Sequence, residues 1–287
     1  MMNSAHTLVA SIAEKITLPE VYHRIRALIA APNVKMDDFI EIINMDASLA
    51  AHVVEIANSD FFGYMRKSQT VKQALALIGF VQLHDLLLSS LAIRAFAGIP
   101  SVLINQESFW RSCVYCGITA RLLAKKYMLP AGDRFFALGL LHEVGHLVMY
   151  AKIPEEIQDI LMKSEQSDSP LYRLERETLG FDYGHVGSEV MKIWDLPDSY
   201  SDIARYHMEP DEAPNYHEEN TIVNLARSIM LAEDFSPEKP VNSLLESANE
   251  LFDTKINKED IEAIKATAKL QVDDIIDCLM TCQKDKS

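Results

Sequence analysis

An all-α fold is predicted by three features of this 287-residue chain. Apolar residues recur at helical spacing through most of its length. Glycine is sparse, at 10 residues. No segment shows the strict alternation of a strand or a convincing hairpin turn. The elements can be read in order. "YHRIRALIAAP" is helical and stops at Pro32. "DDFIEIINMDASLAAHVVEIAN" reads as two helices meeting near Met45-Asp46, with Asp46 as N-cap of the second. "TVKQALALIG" starts at a Thr70 cap and ends at Gly79, and "VQLHDLLLSSLAIRAFAG" follows as a largely buried helix. A loop around Pro100 to Glu107 precedes "FWRSCVYCGITARLLAKKYM", whose last turns carry Lys125 and Lys126. "DRFFALGLLHEVGHLVMY" is expected to be one helix capped by Asp133. Helices are then expected near 154–164, 169–179, 184–194 and 199–207. The polar stretch 209–219, with Pro210 and Pro214, reads as a loop. "NTIVNLARSIMLAE" resumes helix, and two amphipathic helices follow, expected to cap the core.

No internal repeat or low-complexity linker interrupts this pattern. The softest boundaries fall at 98–107 and 235–240. They divide the chain into an N-terminal helical part (1–100), a central helical core (101–234) and a C-terminal extension (235–287). With 48% hydrophobic residues the chain can build a large packed interior.

Charge narrows the function classes. A formal net charge of −15 repels phosphate backbones and anionic lipid surfaces, which argues against nucleic-acid and membrane partners. The most apolar run, "LLLSSLAIRAFAGI", is broken by Arg94 and falls short of a span. The N-terminus has no basic region followed by an apolar one. Together with only four cysteines, this predicts a reducing cytoplasm. Cys113 and Cys116 form a CxxC without a nearby second pair, and Cys278 and Cys282 lie far along the chain. Buried helical thiols are the better reading than a zinc site.

The stretch with the most chemistry is "GLLHEVGHLVMY", residues 139–150, which contains His142-Glu143-Val144-Gly145-His146. On one continuous helix, histidines four apart share a face and can grip Zn²⁺, with the glutamate about 100° round polarising water. That zinc-protease reading needs a third ligand. Leu147-Val148-Met149-Tyr150 do not supply one, and Glu165 or Glu175 would have to. The plainer alternative is a core helix with two incidental histidines.

Wider context favours a third reading. "GLLHEVGHLV", "IINMDASLAAHVVEIANSDFFG", "TVKQALALIGFVQLHDLLLS", "FWRSC" and "LGFDYGHVGSEVMKIWDLPDSYSDIARYHMEP" occur in order. Together they resemble the HDOD family, bacterial output domains related to HD phosphohydrolases, over roughly residues 17–230. The resemblance implies an HD-like multi-helix domain with an N-terminal helical bundle and extra C-terminal helices. It also implies where HD enzymes hold metal. The first His position falls at Arg111 and the His-Asp doublet at His142-Glu143. The middle His position falls at Tyr183, with His185 two residues on. A His pair falls at Tyr206-His207, and the late Asp at Arg227. Of these, His142, Glu143 and His207 remain able to bind a cation. Arginine has no lone pair to offer and brings its own positive charge.

From this follows the expectation of a non-catalytic signal-transduction module with a degenerate HD site and no catalytic residues. Its candidate pocket is Arg111, His142, Glu143, Tyr183, His207 and Arg227, with Arg111 or Arg227 pairing Glu143. The alternative for each arginine is an ordinary surface charge. No cofactor is expected. A divalent metal belongs only to the competing reading, a metal-dependent phosphohydrolase with a reduced site. Partners implied by the resemblance are signalling proteins of cyclic-di-GMP or two-component pathways, or a second copy of the chain.

Overall fold

Helix starts are written into the chain as short polar side chains that take up otherwise unpaired backbone N–H groups. Asp46 accepts from Ser48 and Leu49, Thr70 from Gln73, Asn105 from Ser108, and Asp182 from His185. A computed structural model of the chain describes residues 4–31, 34–59, 67–100, 102–235 and 239–281. Pro32 and Cys282, both named above, lie outside the described residues, as does part of 235–240.

The described residues form sixteen α-helices and no strand. They are α1 (Ala5–Ala10), α2 (Glu20–Ala30), α3 (Met36–Asn44), α4 (Ala47–Ala57), α5 (Val71–Ile78) and α6 (Phe80–Phe96). Next come α7 (Gln106–Lys126), α8 (Phe135–Leu141), α9 (Val144–Lys152), α10 (Pro154–Ser164) and α11 (Leu171–Leu179). The chain ends with α12 (Tyr183–Ile193), α13 (Asp198–Tyr206), α14 (His217–Phe235), α15 (Lys239–Leu251) and α16 (Lys258–Thr281). The all-α expectation therefore holds. Helix α1 adds to the sequence reading: Leu8, Val9 and Ile12 are buried, and α1 packs on α9 and α12.

Gly79 shows why α5 and α6 are separate. Its φ of 84° lies where residues with a Cβ are strained, and the two helices meet there at 110°. Among the described residues no single helix is long and apolar enough to cross a membrane. Buried apolar residues form one cluster from Ala5 to Leu279. Helix α16 packs on α7, α6 and α4, and so joins the chain's last segment to both earlier ones. Cys113, Cys116 and Cys278 are buried.

One polar strut crosses this interior. His84 and Asp85 on α6 bond each other at 3.0 Å. His84 Nε2 meets Tyr22 Oη at 3.1 Å, and Tyr200 Oη of α13 donates to Asp85 Oδ1 at 3.1 Å. This adjacent His-Asp pair is structural, tying α2, α6 and α13.

The expectation of one helix from Asp133 is corrected in two ways. Asp133 is not a cap: it accepts from Arg121 Nε at 2.5 Å and Lys125 Nζ at 2.6 Å. The helix also breaks at His142-Glu143, between α8 and α9.

Candidate functional site

The break decides the chemistry. In a continuous helix, consecutive side chains diverge by about 100°. At the break His142 Nε2 and Glu143 Oε1 come within 3.7 Å. His142 caps the end of α8, where its Nδ1 donates to the Gly139 carbonyl at 2.7 Å. His207 ends α13 in the same manner, with Nδ1 donating to the carbonyls of Ile203 at 3.0 Å and Ala204 at 3.2 Å. Each ring is thereby held as the Nδ1–H tautomer, with an Nε2 lone pair directed inward. The two ring centroids lie 4.8 Å apart. Burial pushes both imidazoles below the usual histidine range, so both are neutral.

Helix α14 closes the site. Arg227 Nε donates to Glu143 Oε1 at 2.6 Å, and one turn earlier Asn224 Nδ2 donates to the His207 carbonyl at 2.5 Å. Burial alone would push the Glu143 carboxyl up. The Arg227 guanidinium instead holds it well below the usual carboxylate range. On α12, Tyr183 Oη donates to His207 Nε2 at 3.1 Å, so the lone pair facing the centre is taken.

Five of the six residues singled out in sequence thus lie in one buried cluster: His142, Glu143, Tyr183, His207 and Arg227. Arg111 does not join them. It lies half-exposed on α7 and pairs with Asp273 of α16, because its position on the helix faces outward. Cys116 faces the centre from α7 instead, with Sγ 4.0 Å from His142 Nε2. Helical phase within "FWRSCVYC" is the signal that would have found it.

The HExxH zinc site is not formed. Among the described residues, the only group of three or more metal-capable side chains with mutually close ligand atoms is His142, Glu143 and His207, all within 4.8 Å. His146 points elsewhere, stacking on Tyr183 at 3.8 Å between centroids. Its Nδ1 lies 4.0 Å from Glu175 Oε1, and neither atom has a hydrogen-bond partner. Glu175 is fully buried and its other oxygen accepts the Tyr183 amide at 3.0 Å. Burial pushes its carboxyl up to about 8 and pulls His146 down to about 4, so the two are a neutral pair near pH 7.

This pair has a stability consequence. A carboxyl whose folded pKa is raised keeps its proton in the folded state while the unfolded chain loses it. The Glu175 contribution to stability should therefore fall as pH rises from about 4.5 to about 8, against the opposite trend of the buried histidines at the acid end. Glu175→Gln keeps an acceptor for Tyr183 and a donor for His146 without the ionisation. Urea unfolding of this variant at pH 8 should show a gain of roughly 1–3 kcal/mol and a flatter pH slope. Equal stability of the two proteins at pH 8 would mean Glu175 is not held neutral.

An all-helical fold that sets two histidines and a carboxylate at helix ends, facing one point, defines an HD-like domain. The HDOD domain profile matches residues 16–210, and the chain belongs to the HDOD family. An uncharacterized protein of Treponema pallidum is 27% identical over 218 residues, covering 72% of this chain; the chain spans 41% of that relative's length. Among solved structures, a candidate phosphohydrolase from Shewanella amazonensis superposes with a TM-score of 0.75 at 20% identity, covering 97% of this chain and all of that one. An HDOD domain protein of unknown function from Geobacter sulfurreducens gives 0.71 at 18%, covering 96% of this chain and 97% of that one. A candidate signal transduction protein from Marinobacter aquaeolei gives 0.70 at 22%, covering 93% of this chain and 59% of that one. At these identities the structural likeness establishes the fold.

Proposed function

We propose that this chain is a non-catalytic signal-transduction module of the HDOD family, in which an ion pair stands in the place of a metal centre. The observation that carries this reading is the 2.6 Å contact between Arg227 Nε and Glu143 Oε1. At about 4 Å, a guanidinium and a divalent cation repel by several kcal/mol even at an effective dielectric of about 20. The same contact occupies the one carboxylate that the centre offers. With no activated water, the domain acts by binding, and its ligands are proteins or small molecules of a signalling pathway. The Marinobacter neighbour, named for signal transduction, agrees with this reading.

A second reading has a specific observation in its favour. Ligand atoms of His142, Glu143 and His207 lie within 4.8 Å of one another, a spacing that suits a divalent ion once Tyr183 releases His207 Nε2. A second Shewanella amazonensis neighbour, at a TM-score of 0.60, carries a name that includes metal-dependent phosphohydrolase. Under that reading Arg227 would have to swing away and the site would hold Mn²⁺, Fe or Mg²⁺.

Elemental analysis of the purified protein, combined with a p-nitrophenyl phosphate assay in added Mn²⁺, separates the two. The signalling reading expects no stoichiometric transition metal and no turnover that depends on His142. Arg227→Asp, which removes the guanidinium and supplies an oxygen, should then take up Mn²⁺ that the wild-type chain leaves in solution. One metal equivalent in the wild type, with phosphoester hydrolysis lost in His142→Ala, would establish the enzyme instead.

A further inference from the structure

A cleft of about 550 Å³ opens between α12, α13 and the start of α1, and the residues at the His142–His207 centre are not among its walls. Phe181, His185, Ser188, Arg205, Tyr206 and Tyr216 are among its walls. Its size is that of a small-molecule site rather than of a single ion.

Behind it lies Asp182, only 2% exposed. His185 Nδ1 lies 2.8 Å from Asp182 Oδ1 and 3.2 Å from the Asp182 amide, so both contacts fall on that nitrogen and Nε2 is free of them. Asp182 Oδ2 is taken by Arg176, which also donates to Glu209 at 2.6 Å. Arg205 is left incompletely paired. Its Nη1 is buried, lies 4.0 Å from Asp182 Oδ2 and has no hydrogen-bond partner. Burial pulls its pKa down from the usual arginine value, and Asp182 restores only part of that loss. Buried guanidinium N–H groups without acceptors are rare and costly.

Of the acids that line the cleft, Glu189 is ion-paired, Asp202 is bonded by an amide, and Asp198 is exposed at the start of α13. Glu189 accepts from Lys192 at 2.7 Å and bonds His6 at 2.8 Å, and Asp202 accepts from Asn220 at 2.7 Å. Beside Asp182 the balance is positive: Arg173, Arg176 and Arg205 share two carboxylates, Asp182 and Glu209, and Arg205 is the least closely paired of the three. Flat side chains surround it: the guanidinium lies 5.1 Å from the Tyr206 ring centroid, and Tyr216 holds a left-handed φ of 50° on the cleft wall. A non-glycine residue held there is backbone strain of the kind found at binding sites.

We propose that this cleft binds a small phosphorylated molecule that carries a planar ring. Arg205 clamps the phosphoryl oxygens and His185 makes a second contact. Asp182 positions both, and Tyr206, Tyr216 and Phe181 bracket the ring. A phosphoryl group supplies several acceptor oxygens in the fork geometry that a guanidinium matches. The inference stands apart from the signalling reading. A metal bound beside His142 would end that reading and leave Arg205 untouched.

Calorimetric titration of the full chain with AMP, inorganic pyrophosphate and adenosine tests the proposal. AMP should bind saturably with a dissociation constant of about 1 mM or tighter. Pyrophosphate should bind more weakly, and adenosine should lose tenfold or more. Arg205→Gln should weaken AMP at least tenfold, Arg205→Lys should restore part of the loss, and Arg111→Gln should match the wild type. AMP binding that is unchanged in a folded Arg205→Gln, or absent in the wild type, overturns the proposal. A readout on the unmodified chain covers the case in which Arg205→Gln does not fold. The His185 imidazole ¹⁵N resonances must move on AMP addition, and static resonances overturn the assignment.

Discussion

Gly145→Ala should unfold or severely destabilise the protein. A Cβ on residue 145 would stand 1.9 Å from the Tyr183 carbonyl oxygen and 2.7 Å from the Gly187 amide nitrogen. Both obstacles are backbone, so no side chain can rotate to relieve them, and α9 must move off α12. Overpacking that rearranges backbone belongs to the tail of mutational effects, above about 4 kcal/mol. For a chain of this size that lowers Tm by roughly 10 °C or more. The site would be lost with the packing, because Tyr183 stacks on His146 and reaches His207 from that same helix turn. Gly187→Ala is the control: its Cβ would meet nothing nearer than 3.4 Å, so it should fold normally. Thermal and urea unfolding of the two variants side by side is the measurement. A Gly145→Ala protein within about 1 kcal/mol of wild type would mean that the helices do not approach this closely.

Arg227→Met should cost about 3–5 kcal/mol at pH 7, because it strands a buried carboxylate without its counter-ion. The pH dependence carries the diagnosis. In the wild type the folded Glu143 carboxyl lies below its unfolded value. Its pair therefore contributes fully above the ordinary carboxylate range, and the contribution is lost only as pH falls through the lower folded value. In Arg227→Met the carboxyl is buried without a cation, so its folded pKa rises above the unfolded one. The variant's deficit should then be largest near neutrality and shrink as pH falls toward 4. Adding Glu143→Gln to Arg227→Met removes the stranded charge and should recover much of the loss at pH 7, a coupling that a double-mutant cycle measures. A deficit of the same size at pH 4 and pH 7 would show that Arg227 acts through packing alone.

The outline of the fold was legible because helices are specified locally. Asp46 and Thr70 announce their helix starts through side-chain oxygens, and Gly79 its helix end through a backbone free to take a positive φ, and each does so in the structure. Ordered motifs placed the chain in its family for a similar reason, since they record which short segments must meet. Asp133 misled because the same carboxylate that could cap a helix also suits a pair of cations. Arg121 and Lys125 lie on a neighbouring helix and win it.

For the site, the sequence determined the cast and left the meeting to the fold. It named His142, Glu143, Tyr183, His207 and Arg227, and it offered Arg111 or Arg227 as the partner of Glu143. Tertiary structure chose Arg227, because α14 lies against α8 with that residue turned inward, while Arg111 faces the exposed side of α7 toward Asp273. It also broke the expected helix at His142-Glu143, which brought adjacent side chains to one point and sent His146 to Glu175. Residue type and local periodicity travel with the chain and can be read along it. Which charge neutralises which, and which guanidinium is left without an acceptor, depends on burial and on contacts between residues far apart in the chain, 84 positions for Arg227–Glu143 and 162 for Arg111–Asp273. Those contacts exist only once the helices have packed.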